Sequence, residues 1–285
     1  VLPLPWFGVP GRVNCPARAT SPSHRFVMSA VLEVQNLCVS LSGQSVLEDI
    51  DMDVERGAWI GLIGPNGSGK TTLLRALTGL IPYTGRISLL GRPLRAWSLR
   101  ERARRMALVR QVRPPAFDFT VGELVLLGRT PHKGLIATWD LADRKLMQDA
   151  LELVDLGGFE DRDLGTLSGG EQQRCFLAQA LVQQADILLL DEPTTYLDVH
   201  HQFGFMEHVS KLRDRGITVI GAVHDLELAA RFSSRLLMLE RGRVAVFDAP
   251  ERALTPERLR RVFRMDAHAW ADSQGRLRLQ YEGPI

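Results

Sequence analysis

A chain of 285 residues with 45% hydrophobic content is long enough for one large α/β domain or two small ones, with ample material for a core. Its formal net charge of +2, with 24% charged residues, includes no basic tract, so charge gives no pointer to nucleic acid. No run approaches the roughly 18 consecutive apolar residues of a membrane-spanning helix, which leaves any membrane role to another polypeptide.

Residues 1–27 hold Pro3, Pro5, Pro10, Pro16 and Pro22 and show neither helical nor strand periodicity. They read as a disordered extension ahead of Met28, the expected true start. A signal peptide does not fit, because a basic beginning is missing and prolines interrupt the apolar part. Apolar and polar residues then alternate from Val31 to Val39 and from Ser45 to Val54, predicting two antiparallel strands with one covered face. An apolar run, Ala58 to Ile63, leads into Gly64, Pro65, Asn66, Gly67, Ser68, Gly69, Lys70 and Thr71, and a helical pattern begins at Thr72. This is G-x-x-x-x-G-K-[ST] between a strand and a helix, the loop that wraps a nucleotide's phosphates. Its glycines let backbone N–H groups turn inward, Lys70 adds a point charge, and Thr71 offers a hydroxyl to Mg²⁺. The helix that follows aims its positive end at the phosphates. Kinases, GTPases, motors and transport ATPases all use such a loop, so it leaves the reaction open.

Further along, Arg86 to Leu90 reads as a strand between two glycines, and helical patterns run from Ser98 to Arg105, Val121 to Leu127 and Asp143 to Val154. Ser168, Gly169, Gly170 and Glu171 stand at the start of a helix reaching Leu181, as an N-cap or as a second anion-binding helix end. The continuously apolar Ile187 to Leu190 suits a central parallel strand and ends in Asp191 and Glu192; Ile217 to Val223 ends in His224 and Asp225. Ligands of open parallel sheets lie beyond the carboxyl ends of strands, so these polar groups either serve a ligand there or cap the helices that follow. Near the end, Leu254 to Phe263 reads as a helix with Pro256 in its first turn, followed by a hairpin turning at Asp272 to Gly275. Three cysteines and His132, His200, His201 and His268 have no metal-ligand spacing, and the histidines read as surface or packing residues.

In order, spacing and residue type, residues 30 to 265 resemble the ATP-binding cassette (ABC) family. Gly64 to Thr71 match its phosphate loop, and Leu167 to Gln172 its signature sequence. Gln111 matches the glutamine that contacts Mg²⁺ and the attacking water. Ile187 to Glu192 match the strand ending in the Mg²⁺-linked Asp191 and the catalytic Glu192. Leu197 and Asp198 match the dimer-facing aspartate loop, and His224 the histidine on the γ-phosphate. The resemblance implies an α/β, P-loop NTPase fold: a RecA-like core, an antiparallel β subdomain and a helical signature subdomain at about 112–170. The ATPase domain would span 28–265, with a short extension at 266–285. It implies ATP and Mg²⁺ as cofactors, the metal held by Thr71, Gln111 and Asp191. ATP would be bound by Gly64 to Thr72, and by Ser168, Gly169, Gly170 and Asp198 of a second copy in a head-to-tail homodimer. One position departs from the pattern: no aromatic lies between Val27 and Gly57 to stack on adenine, so Leu41 is expected to cover the base, with weak base discrimination.

The stretch from Phe119 to His132 and that from Asp191 to Gln202 resemble the ATPases of bacterial ferric-siderophore, haem and cobalamin importers, with the Asp191 stretch most similar to the siderophore group. The resemblance therefore implies an ATP-hydrolysing subunit at the cytoplasmic face of the inner membrane, peripheral and bound to permease subunits. A periplasmic or lipoprotein binding protein would act indirectly, and no nucleic acid is expected. An exporter ATPase and a non-transport ABC protein are the alternatives.

Overall fold

The computed structural model describes residues 30–110, 118–133, 138–195, 197–274 and 276–285. Strands β1 (Ala30–Leu41) and β2 (Gln44–Glu55) pair as an antiparallel hairpin, joined by β4 (Thr84–Leu89) and β5 (Arg92–Pro93) in a four-stranded sheet of order β2-β1-β4-β5. Alternation is imperfect in β1, where the register shifts between Val34 and Val39 and Asn36 takes a positive φ of 48°. The six-stranded sheet has order β10-β9-β3-β8-β7-β6. It uses β3 (Trp59–Ile63), β6 (Met106–Val109), β7 (Ile187–Asp191), β8 (Thr218–Ala222), β9 (Arg235–Glu240) and β10 (Arg243–Asp248). All its pairings are parallel except β9 with β10.

A period of two divides the central strands between two cores. Ile187 and Leu189 of β7 and Ile60 and Leu62 of β3 face the core shared with the antiparallel sheet and α1 (Lys70–Leu77). Leu188, Leu190, Trp59 and Ile63 face the opposite core, which the remaining large helices cover. Burial of each such side chain contributes about 1.5–3 kcal/mol, which explains why a strand with no polar position is stable only here.

The helical layer begins after α2 (Leu99–Ala103) with α3 (Val121–Leu126), α4 (Leu141–Leu153) and α5 (Gly169–Val182). Capping boxes start all four, at Ser98, Thr120, Asp140 and Ser168. A buried charge cluster ties the layer together. Arg129 donates from Nε to Asp143 (3.0 Å) and from Nη1 to the Val182 carbonyl and the Gln184 amide oxygen (both 2.8 Å), while Lys133 sits 2.8 Å from the other Asp143 oxygen. Burial pushes the Asp143 carboxyl up, but hydrogen bonds from Lys133, the Asp140 N–H and Arg129 overcome it and hold its pKa at about 2.

Helices α6 (Val199–Asp214) and α7 (Leu226–Phe232) follow β7 and β8. The expected helix over 254–263 is instead α8 (Pro250–Ala253), α9 (Pro256–Arg258) and a π-helical turn at Leu259–Phe263 closed by Arg264 at φ 54°. Pro256 has no N–H to continue a helix from α8, so the chain restarts there under a Thr255 cap. The predicted terminal hairpin is β11 (Met265–Ala271) with β12 (Leu277–Pro284). Strands β9 and β10 are additional to the sequence expectation. Their sequence cue is Leu236 to Leu239 followed by Arg241 and Gly242, both at positive φ as a type I′ turn requires.

Candidate active site

The phosphate loop joins β3 to α1, and the core holds it from below. Gly69 caps α1 at φ 106°, and a Cβ there would lie 2.6 Å from Leu47 Cδ2; a Cβ on Gly64 would collide with the Leu239 carbonyl. Only glycine satisfies both the dihedral and the space at these two positions. The Gly242 N–H donates to the Ser68 carbonyl (3.1 Å), so the β9–β10 turn braces the loop. Pro65, Asn66 and Gly67 are left at the rim, half-buried or exposed.

Lys70 is 4% exposed, and its ammonium donates to the carbonyls of Gly64 (2.9 Å) and Pro65 (3.3 Å). Burial pulls its pKa below the ordinary lysine value, opposed by Glu192, whose Oε1 lies 3.7 Å away, and by Asp191. The charge is thus already aimed into the loop. Ser68 Oγ, also buried, has no hydrogen-bond partner among the described residues.

As the last residue of β7, Asp191 accepts a hydrogen bond of 2.7 Å from the Thr71 hydroxyl, and Thr72 follows half-buried on α1. Glu192 takes a positive φ of 53°, a strained choice for a residue with a Cβ, and its Oε2 lies 2.7 Å from His224 Nε2 at the end of β8. Neither Asp191 nor Glu192 caps a helix. Asp225 does, accepting from the Leu228 N–H at 2.9 Å, so the two acid-bearing strand ends divide between the readings left open by sequence. A cleft of about 570 Å³ lies between Asn66 and Gly67 on one side and Glu192, Thr194, Gln202 and His224 on the other.

Ser168 caps α5, and its hydroxyl donates to Glu171 Oε2 at 2.6 Å. That donor is therefore engaged within its own capping box, while the N–H groups of Gly169 and Gly170 stand at the helix start. Asp198, 67% exposed at its side chain, caps α6 by accepting from the His201 N–H at 2.9 Å. No hydrogen bond links Ser168 to Gly170 with Gly64 to Thr71 among the described residues. Leu41 ends β1 at 40% exposure and lines neither the cleft above nor a second one of about 530 Å³ beside the loop. Gln111 lies outside the described residues. Sequence reasoning missed Arg241, Arg261 and Arg264, which line that second cleft together with His224; the run of arginines near the C-terminus was the available signal.

The grouping of Lys70, Thr71, Asp191, Glu192 and His224 at one sheet edge suits phosphoryl transfer to water, which needs charge neutralisation and positioning. Comparisons with known proteins agree. The family description "ABC transporter" matches residues 47–195. The chain is 42% identical over 242 residues to the hemin import ATP-binding protein HmuV of Pseudomonas putida, covering 83% of this chain and 93% of the relative. It is 36% identical over 236 residues to the ferric enterobactin transport ATP-binding protein FepC of Escherichia coli, covering 82% and 87%. Among solved structures it resembles cbiO1 of Clostridium perfringens, part of the ABC transporter complex cbiONQ, with a TM-score of 0.72, 26% identity and coverage of 82% and 94%. The chain belongs to the ABC transporter family and is one of its ATP-binding, ATP-hydrolysing subunits.

Proposed function

We propose that this chain powers import of a haem-, siderophore- or cobalamin-type cargo through separate permease subunits, working as a homodimer on the cytoplasmic face of the membrane. The observation that carries the hydrolytic half is the 2.7 Å contact of Glu192 with His224 beside the Thr71–Asp191 pair and the buried Lys70. The importer names of the relatives support the transport half. Among the described residues no helix is long and apolar enough to cross a membrane, and in this reading the permease subunits form the path.

Here Glu192 polarises the attacking water and His224 holds the γ-phosphate and that water in line. Lys70 and the backbone N–H groups of Gly64, Asn66, Gly67, Ser68, Gly69 and Thr71 bind the phosphates, with Pro65 shaping the loop, Thr72 beside them and Leu41 over the base. The Thr71 hydroxyl and Asp191 carboxylate are hard oxygen donors side by side and fit Mg²⁺, which takes few protein ligands and keeps the rest for phosphate and water. Gln111 completes that set in the proposal. When bound, the ion would offset negative charge on the β- and γ-phosphates. Ser168, Gly169, Gly170 and Asp198 of one copy would close over the nucleotide of the other. The ATPase domain is taken as 28–265 with the helical subdomain at about 112–170 and a short extension at 266–285; residues 1–27 lie outside the described residues.

The test is to purify the chain with its permease and a periplasmic or lipoprotein binding protein and to measure ATP hydrolysis with hemin, ferric siderophores and cobalamin. Stimulation by one of the three is expected; a response to none of them, with export of another compound instead, would overturn the import reading.

A further inference from the structure

Two helix starts in this chain are built alike. α5 follows Leu167 and Ser168, and α6 follows Leu197 and Asp198. In each, the capping side chain accepts from the N–H three residues on, that of Glu171 or His201. In each, a glutamine four residues past the cap donates from Nε2 to two carbonyls of the preceding loop. Gln172 reaches Leu164 and Leu167 at 3.1 and 3.2 Å; Gln202 reaches Thr194 and Leu197 at 3.2 and 2.9 Å. Both loops are thereby tied to the helices they precede.

His201 joins these two pieces. Its Nδ1 lies 2.9 Å from both oxygens of Asp198; a carboxylate only accepts, so Nδ1–H is the donor and the ring orientation is set. The ring also lies against Gly170 in the first turn of α5. A Cβ built on Gly170 would stand 2.8 Å from His201 Cδ2 and 3.2 Å from Cγ, so the ring occupies the space that a missing side chain leaves. A residue that only filled space would not need a defined contact at each end. Here one end holds an exposed carboxylate, and the other rests on the backbone of the signature sequence.

We propose that His201 is a positioning residue that couples the aspartate loop to the signature helix, so that Asp198 and the first amides of α5 are presented to a partner as one unit. Its effect on hydrolysis rests on the shared-site reading above, whereas the coupling itself belongs to the single chain. His201→Ala keeps the N–H that Asp198 caps, so the start of α6 survives.

Two measurements on the full chain decide the matter. Hydrogen exchange of the Glu171 and Gln172 amides in the isolated protein should speed up about fivefold or more in His201→Ala. It should stay near wild type in His201→Phe, which keeps a ring against Gly170. Steady-state hydrolysis should show kcat reduced about ten- to a hundredfold in His201→Ala with the KM for ATP unchanged, since the phosphate loop is untouched. His201→Phe should also lose kcat, because it cannot hold Asp198. Unchanged exchange in His201→Ala overturns the coupling. Faster exchange with wild-type kcat overturns the positioning role. ATP-driven dimerisation of Glu192→Gln, followed by sedimentation, separates the two layers: a chain that stays monomeric with ATP defeats the shared site, while the exchange result still decides the contact within one chain.

Discussion

The phosphate loop and the signature end of the molecule carry complementary groups but are held by different means. At the loop, the core does the work: Lys70 is buried, Gly64 and Gly69 are wedged against Leu239 and Leu47, and Thr71 is bonded to Asp191. At the signature end Ser168 and Asp198 are exposed and each is held by a half-buried neighbour, Ser168 by Glu171 and Asp198 by His201. A site preorganised by burial has little freedom left, whereas one held by its own caps can be turned outward to a second surface. In the proposed shared site, one chain would thus supply a finished half and a half that waits for a partner.

Glu192→Gln tests the finished half with the largest effect. Loss of a general base costs about 10² to 10⁴-fold in rate, so phosphate release should nearly vanish while equilibrium ATP binding persists. Turnover close to wild type would show that another group activates the water. Next, Asp143→Ala strips the partner from buried Arg129 in the helical layer that carries α5, and should lower unfolding free energy in urea by about 3–5 kcal/mol. The Asp143 pKa is held at about 2, below its ordinary 3.8, so its stabilising contribution is full above that ordinary value and is lost as pH falls through about 2. A wild-type urea midpoint for Asp143→Ala at neutral pH, where the carboxylate is fully charged, would remove this strut from the account.

Smaller effects sharpen the contrast. Ser168→Ala and Thr120→Ala each delete a helix cap and should each cost about 0.5–2 kcal/mol of stability. Only Ser168→Ala should also reduce hydrolysis; equal ATPase losses would mean the cap alone matters. Leu41→Tyr should strengthen adenine nucleotide binding by about 0.5–1.5 kcal/mol and widen the preference for ATP over GTP. Titration of both nucleotides against both proteins, giving identical affinities, would show that Leu41 does not cover the base.

Much of this is legible in the sequence because the signals are local. Gly64 to Thr71 need their residue types for backbone reasons, and Ile187 to Leu190 announce a strand buried on both faces. Both acid-bearing strand ends are visible, yet their division of labour is not: Asp225 caps α7 while Glu192 takes a positive φ, and nothing local distinguishes the two. His201 reads in sequence as a surface or packing residue because its partner Gly170 lies in another element, and a close approach across elements leaves no periodic trace. Sequence leaves Ser168 as an N-cap or as part of an anion-binding helix end, and only the structure shows that the Glu171 side chain three residues on captures its hydroxyl. Strands β9 and β10 end in Glu240 and Asp248, but neither ending belongs to a chemical motif, and β9 runs into the turn that braces Ser68.

The central claim, that each site is shared between two copies, is tested most directly by mixing two inactive chains. Lys70→Ala removes the finished half and Ser168→Arg blocks the other. If sites are shared, the mixture regains up to about a quarter of wild-type hydrolysis, since half the pairs are mixed and each mixed pair keeps one intact site. A mixture as inactive as either variant alone, with mixed pairs demonstrated to form, would contradict it.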